Sequence, residues 1–125
     1  MSQIAPSVVN PVTPSFRLDG RRALVTGAGR GIGLAASHAL AQAGAVVTLA
    51  ARTEAELQAA AAALRAYGAK AAVMVLDVTN PVAVKQALAD AGPFQILVNS
   101  AGTNRPALIT ETLDADLDAV VDLNL

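Results

Sequence analysis

The stretch Thr26-Gly27-Ala28-Gly29-Arg30-Gly31-Ile32-Gly33 gathers glycines and one arginine between a short apolar run, Ala23-Leu24-Val25, and a helix-like segment, Leu34 to Ala43. Glycines accept positive φ and let a backbone come close to a ligand, while the free N–H groups and positive dipole end of a following helix attract an anion. Phosphate binding is the chemistry such a turn can do. Placed between a buried strand and a helix, it reads as a dinucleotide site; the alternative is a glycine-rich turn that binds nothing.

Spacing narrows the choice. Counted from Gly27, both the general G-x-G-x-x-G fingerprint and the phosphate-binding loop G-x-x-x-x-G-K-[ST] require a glycine where Ile32 stands, and no lysine lies in the turn. The pattern that fits is T-G-x-x-x-G-x-G, carried by Thr26, Gly27, Gly31 and Gly33. It resembles the cofactor turn of the classical short-chain dehydrogenase/reductase family. The resemblance extends from about Phe16 to Leu125, with further motifs in the family's order, and it implies the N-terminal half of such an enzyme. The remaining residues of the turn, Gly29, Arg30 and Ile32, are then cofactor-binding as well.

The second strand ends Ala50-Ala51-Arg52, without the acid that NAD-binding Rossmann proteins tend to place there for the adenosine ribose. A carboxylate would repel a 2′-phosphate, whereas a guanidinium can pair with it bidentately. Ala51 and Arg52, with Arg30 in reach of the same phosphate, therefore favour NADP, with NAD as the alternative cofactor. One charge-assisted contact of about 1.5–3 kcal/mol gives roughly ten- to a hundredfold preference. Both arginines could instead be solvated loop residues.

By the same resemblance, Asp77 and Val78 after the third strand match the family's adenine-binding position. On pattern alone, Asp77 is equally a turn residue before Asn80-Pro81. Asn99-Ser100-Ala101-Gly102 resembles the family's N-N-A-G segment, with Ser100 in place of its second Asn; Asn99 would tie the central strands, and the small residues would let the backbone run along the cofactor. Asn124, in Asp122-Leu123-Asn124-Leu125, matches the Asn of the catalytic Asn-Ser-Tyr-Lys set. The family's Ser and its Y-x-x-x-K motif do not occur in these residues. The only tyrosine, Tyr67, is followed four positions on by Ala71, and Lys70 sits in a turn away from the expected crevice, so the two are not a disguised pair. His38, in mid-helix with no second ligand near it, reads as a surface histidine.

The resemblance thus implies an NADP-dependent oxidoreductase that moves a hydride between the nicotinamide and a carbonyl or alcohol carbon. The segment Asn99 to Arg105, with Asn104-Arg105-Pro106, most resembles 3-oxoacyl-carrier-protein reductases and sugar or polyol dehydrogenases acting on compounds such as gluconate and glucose. The family also implies a homodimer or homotetramer. A reading from another class is a catalytically inactive cofactor-binding fragment, since these residues supply no acid–base group.

The elements that must position these residues alternate. Strands are expected at about Ala23–Thr26, Ala45–Ala51, Lys70–Leu76 and Phe94–Asn99, with helices at Leu34–Ala43, Glu54–Tyr67 and Pro81–Ala91. Thr53 is a possible N-cap, Asn80-Pro81 a helix start, and Gly44, Gly68 and Gly92 helix ends. In the first helix, Ile32, Ala36, Ala39, Leu40 and Ala43 form a stripe that can face a sheet. A last helix begins in Leu113 to Leu125, with Leu113, Leu117, Val120, Val121 and Asn124 on one face. The expected fold class is α/β, a Rossmann doubly wound parallel sheet that stops after strand 4 and the start of the following helix. In the order 3-2-1-4-5-6, strands 1 and 4 flank the crevice. The domain would span residues 16–125, after a loose leader over residues 1–15.

Composition agrees with this architecture. Of 125 residues, 54% are apolar and only 2% aromatic, so small aliphatic residues must form the core and helices must pack close to the sheet. The net charge of −1 gives no reason to expect nucleic acid or an anionic membrane surface. With no cysteine, disulfides and thiolate metal sites are excluded, and no other metal-binding pattern is present. No apolar run approaches a membrane span and the leader lacks a secretion-signal pattern, so a cytoplasmic protein is expected.

Overall fold

The computed structural model describes residues 15–102. Expectations for the leader before residue 15, for Asn104-Arg105-Pro106 and for the helix carrying Asn124 fall outside these residues.

The elements run β1 (Arg22–Thr26), α1 (Gly31–Gln42), β2 (Val46–Ala51), α2 (Glu54–Arg65), β3 (Ala71–Val75), α3 (Pro81–Ala91) and β4 (Ile96–Asn99). All four strands are parallel, in the order β3-β2-β1-β4. Thr26, at the tip of β1, lies opposite Ala50 on one side and Asn99 on the other. Every C-terminal strand end therefore opens on the same edge, where the glycine turn begins. Strand 1 and strand 4 are neighbours, as the sequence leads one to expect.

Glycine and asparagine set several helix ends. The Asn80 side chain accepts from the Ala83 N–H at 3.1 Å, with proline in the first turn of α3. Gly44, at φ +102°, follows the α1 C-cap.

Helix α1 departs from the expected pattern. It starts at Gly31 rather than Leu34, and Ile32, placed on the sheet-facing stripe by periodicity, is 81% exposed. The buried line is Gly33, Ser37 and Ala41, with Leu34 and Leu40 packed beside it. The cause is local: a Cβ at Gly33 would strike the carbonyl oxygen of Gly27, so the helix can approach only through that glycine, and this contact sets its rotation. Ser37 then donates to the Gly33 carbonyl at 2.8 Å, satisfying its buried hydroxyl.

The sheet is covered on both faces, by unequal layers. On one, Ala23, Val25, Val47 and Leu49 pack against Ala41 of α1 and against Leu57, Ala60, Ala61 and Leu64 of α2. On the other, Leu24, Ala50 and Leu76 meet Ala83, Val84 and Ala87 of α3 and Phe94, and α3 has no fully buried residue. Consecutive burial of Val47, Thr48, Leu49 and Ala50 gives β2 the continuous apolar character of a covered parallel strand. Among the described residues β4 is an edge, with Leu97 60% exposed.

At the N-terminal strand ends, arginines fasten the frame. Arg22 donates to the carbonyls of Ala91 at 2.7 Å and Pro93 at 2.8 Å, and stacks 4.7 Å from the Phe94 ring centroid. Arg17 reaches Gln42 O at 3.0 Å, and Arg65 donates twice to Ala71 O. Arg17 and Arg22, on the last carbonyls of α1 and α3, satisfy groups that helix ends leave unpaired and oppose the dipole, whereas the acceptor of Arg65 is the first residue of β3. Tyr67 and Lys70 lie at this end, away from the glycine turn. His38 is more than a surface histidine: its Nδ1 lies 3.0 Å from the Tyr67 hydroxyl, linking α1 to the end of α2.

Candidate functional site

Strand tips and helix starts meet in a cleft of about 360 Å³. The glycine turn forms its floor through Gly27, Gly29, Arg30, Gly31 and Ile32; Ala51 and Arg52 at the end of β2 form one wall. Asp77 and Val78 after β3, and Ser100, Ala101 and Gly102 after β4, complete it. Three residues expected at the site stand behind the cleft instead of lining it: Thr26, Gly33 and Asn99.

Those three belong to the supporting structure. The Thr26 hydroxyl accepts from the backbone N–H of Ser100 at 3.1 Å and of Ala101 at 3.2 Å, and donates to Val98 O at 3.4 Å. This one side chain fixes the end of β4 to the end of β1. The resemblance assigns the tying of central strands to Asn99; among the described residues the side-chain bonds that do so at the strand tips come from Thr26, and at the strand starts Gln95 Oε1 accepts from the Arg22 N–H. Gly33 admits α1 to the turn, as described above.

Gly27 has φ +61°, and a Cβ there would fall 2.7 Å from Ser100 O and 2.8 Å from Ala101 N. Conformation and space both demand glycine. Gly31, at φ +60°, has nothing within 4 Å on its Cβ side, so its left-handed turn faces the open cleft. Arg30 provides no side-chain cap to α1, and the helix has no acid in its first turn. Among the described residues no side chain caps the start of α1, whose first residues, Gly31 and Ile32, line the cleft, and uncapped helix N–H groups are the arrangement that holds an anion. A phosphorylated ligand fits this donor set, because Gly27, Gly29 and Gly31 keep the backbone of the turn open to the cleft.

The charges around the cleft are distinct. Arg30 and Arg52 are exposed, and among the described residues neither is in an ion pair. Asp77 accepts from both the hydroxyl of Thr79 at 2.6 Å and its N–H at 2.9 Å, through one carboxylate oxygen. These bonds, the hydroxyl first, hold its carboxyl below the usual range; the Arg52 guanidinium adds to this, and desolvation opposes it. Asp77 is thus a turn residue that also lines the cleft. Its second oxygen faces no hydrogen-bonding partner among the described residues.

Sequence reasoning missed Thr53, Glu56 and Leu76, which also line the cleft. Thr53 was visible only as a helix cap, and Glu56 is one of two acids, with Glu54, in the first turn of α2. Neither signal says which way the start of α2 faces.

The profile of the family described as short chain dehydrogenase matches residues 21–125. The chain belongs to the short-chain dehydrogenase family. Galactitol 2-dehydrogenase of Rhizobium johnstonii is 47% identical over 115 residues, a match covering 88% of this chain and 44% of that protein. The structure of a gluconate 5-dehydrogenase from Burkholderia cenocepacia in complex with NADP and tartrate superposes with a TM-score of 0.81 at 40% identity, covering 88% of this chain and 45% of the other. L-Sorbose reductase from Gluconobacter frateurii, complexed with NADPH and L-sorbose, gives a TM-score of 0.78 at 32% identity over 86% of this chain and 43% of its own. The chain therefore spans less than half the length of these short-chain dehydrogenase relatives. Their fold matches the four parallel strands and intervening helices described above. Among the described residues no helix is long and apolar enough to cross a membrane, and no group of His, Cys, Asp or Glu is gathered for a metal.

Proposed function

We propose that this chain forms the cofactor-binding part of an NADP(H)-dependent oxidoreductase acting on a small polyol, sugar or sugar acid. The observation that carries the reading is the pairing of an open glycine turn with two guanidinium groups, Arg30 and Arg52, on one cleft. The N–H groups at the start of α1 would take the pyrophosphate, and Arg52, with Arg30 beside it, the 2′-phosphate. Asp77 would accept from the adenine amino group through its second carboxylate oxygen, with Val78 against the ring. The backbone of Ser100 to Gly102, held by Thr26, would support the nicotinamide side. When bound, the nicotinamide supplies or takes the hydride exchanged with a carbonyl or alcohol carbon. Asn124 would contribute to the proton relay by family analogy.

The carbohydrate substrate class is supported by relatives named for galactitol, gluconate and L-sorbose. We propose a cytoplasmic homodimer or homotetramer, in keeping with the family.

The test is direct. Arg52→Asp in the full chain should reverse the NADPH:NADH affinity ratio measured by fluorescence titration, a shift of about a hundredfold or more once attraction becomes repulsion. An unchanged ratio sinks the assignment of Arg52.

A further inference from the structure

Thr53-Glu54-Ala55-Glu56 has the spacing of a capping box, in which the Thr53 hydroxyl would take the Glu56 N–H and the Glu56 carboxylate would reach back to the Thr53 N–H. The box is not closed. Thr53 has the extended backbone of an N-cap but makes no side-chain cap bond. Glu56 is half-buried, and among the described residues its carboxylate is in no ion pair. It leans instead over the glycine turn: a Cβ at Gly29 would fall 2.7 Å from Glu56 Oε2 and 3.0 Å from Glu56 Cβ. The same carboxylate lines the cleft with Arg30 and Arg52.

We infer that Glu56 is a specificity-determining residue that tempers the preference for a 2′-phosphorylated dinucleotide. This rests on the nucleotide reading above and goes beyond it, because that reading invokes only attraction. A carboxylate over Gly29 shares the cleft with the two arginines that attract a phosphate monoester. The monoester brings up to two additional negative charges that an unphosphorylated ribose lacks, so the carboxylate opposes one dinucleotide more than the other. The pyrophosphate is common to both and cancels in their ratio. The open capping box gives the side chain an alternative position at the Thr53 N–H, so a bound monoester can displace it without leaving it unpartnered. Arg30 and Arg52 set the direction of the preference, and Glu56 limits its size.

Glu56→Gln isolates the charge, since glutamine has nearly the same shape and closes a capping box equally well. NADPH and NADH are titrated separately against the wild-type full chain and the variant, at low salt and at about 0.5 M salt. The NADPH:NADH affinity ratio should rise about three- to tenfold in the variant at low salt, and the gain should shrink at high salt as screening takes over. If the wild type binds NADPH and the variant's ratio is unchanged or lower, the inference about Glu56 is overturned while the nucleotide assignment stands. If the wild type binds neither nucleotide, the assignment itself fails and the inference falls with it.

Discussion

At the N-terminal ends of the strands Arg17, Arg22 and Arg65 each donate to a backbone carbonyl, whereas Arg30 and Arg52, at the C-terminal ends, face an open cleft with no ion-pair partner among the described residues. The same side chain does structural work at one end of the sheet and is held available at the other. Arg21, exposed beside β1, belongs to neither group. What separates them is the local supply of backbone acceptors, since the carboxylates of Glu56 and Asp77 share the cleft but form no ion pair with either arginine among the described residues. Helices end near the strand starts and expose carbonyls there, while helices begin near the strand tips and expose N–H groups, which an arginine cannot pair with. A guanidinium beside helix N-termini therefore waits for an anion from outside.

The sharpest test of this contrast removes an arginine from each end. Arg22→Ala loses two hydrogen bonds and the contact with Phe94, and should lower the unfolding free energy by about 2 kcal/mol in urea denaturation. The NADPH:NADH ratio should not move. Arg30→Ala should do the reverse, weakening NADPH binding roughly tenfold, or about 1.4 kcal/mol, with no change in the melting temperature of the free protein. A destabilised Arg30 variant, or an Arg22 variant with altered nucleotide preference, would break the division between the two ends.

A smaller effect is expected at Asp77. Its carboxyl is lowered by the bonds from Thr79, so its folded-state value lies below its unfolded one. The stabilisation of this turn is therefore complete above the ordinary carboxylate range and is lost as pH falls through the lowered value. Thr79→Val removes the hydroxyl bond, the largest contribution, and the Asp77 titration followed by carbon NMR should move upward. An unmoved midpoint would mean that the nearby Arg52 charge, not the turn, dominates at this end of the sheet.

Most of the frame was legible from alternation of apolar runs with alanine-rich helical segments, and element limits differ from expectation mainly by a residue or two. The glycine turn, Arg52 and Asp77 were legible because each follows a recognisable strand end. The rotation of α1 was not. With alanine and glycine in so many positions, more than one stripe is apolar enough to face the sheet, and the choice is made by a contact between Gly33 and Gly27 that periodicity does not encode. Glu56 was hidden for a related reason: its spacing from Thr53 describes a local cap, and only tertiary structure turns it toward the cleft. Thr26 was legible as part of a motif but not as the residue whose hydroxyl bridges two strands.

That bridge has a consequence for the order of folding. Strands β1, β2 and β3 pair with partners close in sequence, but β4 must return to the other side of β1, and the bond between Thr26 and Ser100 spans 74 residues. Closing so long a loop is entropically slow compared with forming the helices and nearer pairs. One wall of the cleft therefore comes into being only with this last pairing. A nucleotide has little to hold before then, so binding should slow the release of β4 more than its docking, and amide exchange at Ser100 and Ala101 should report the bound state more sensitively than exchange in β2.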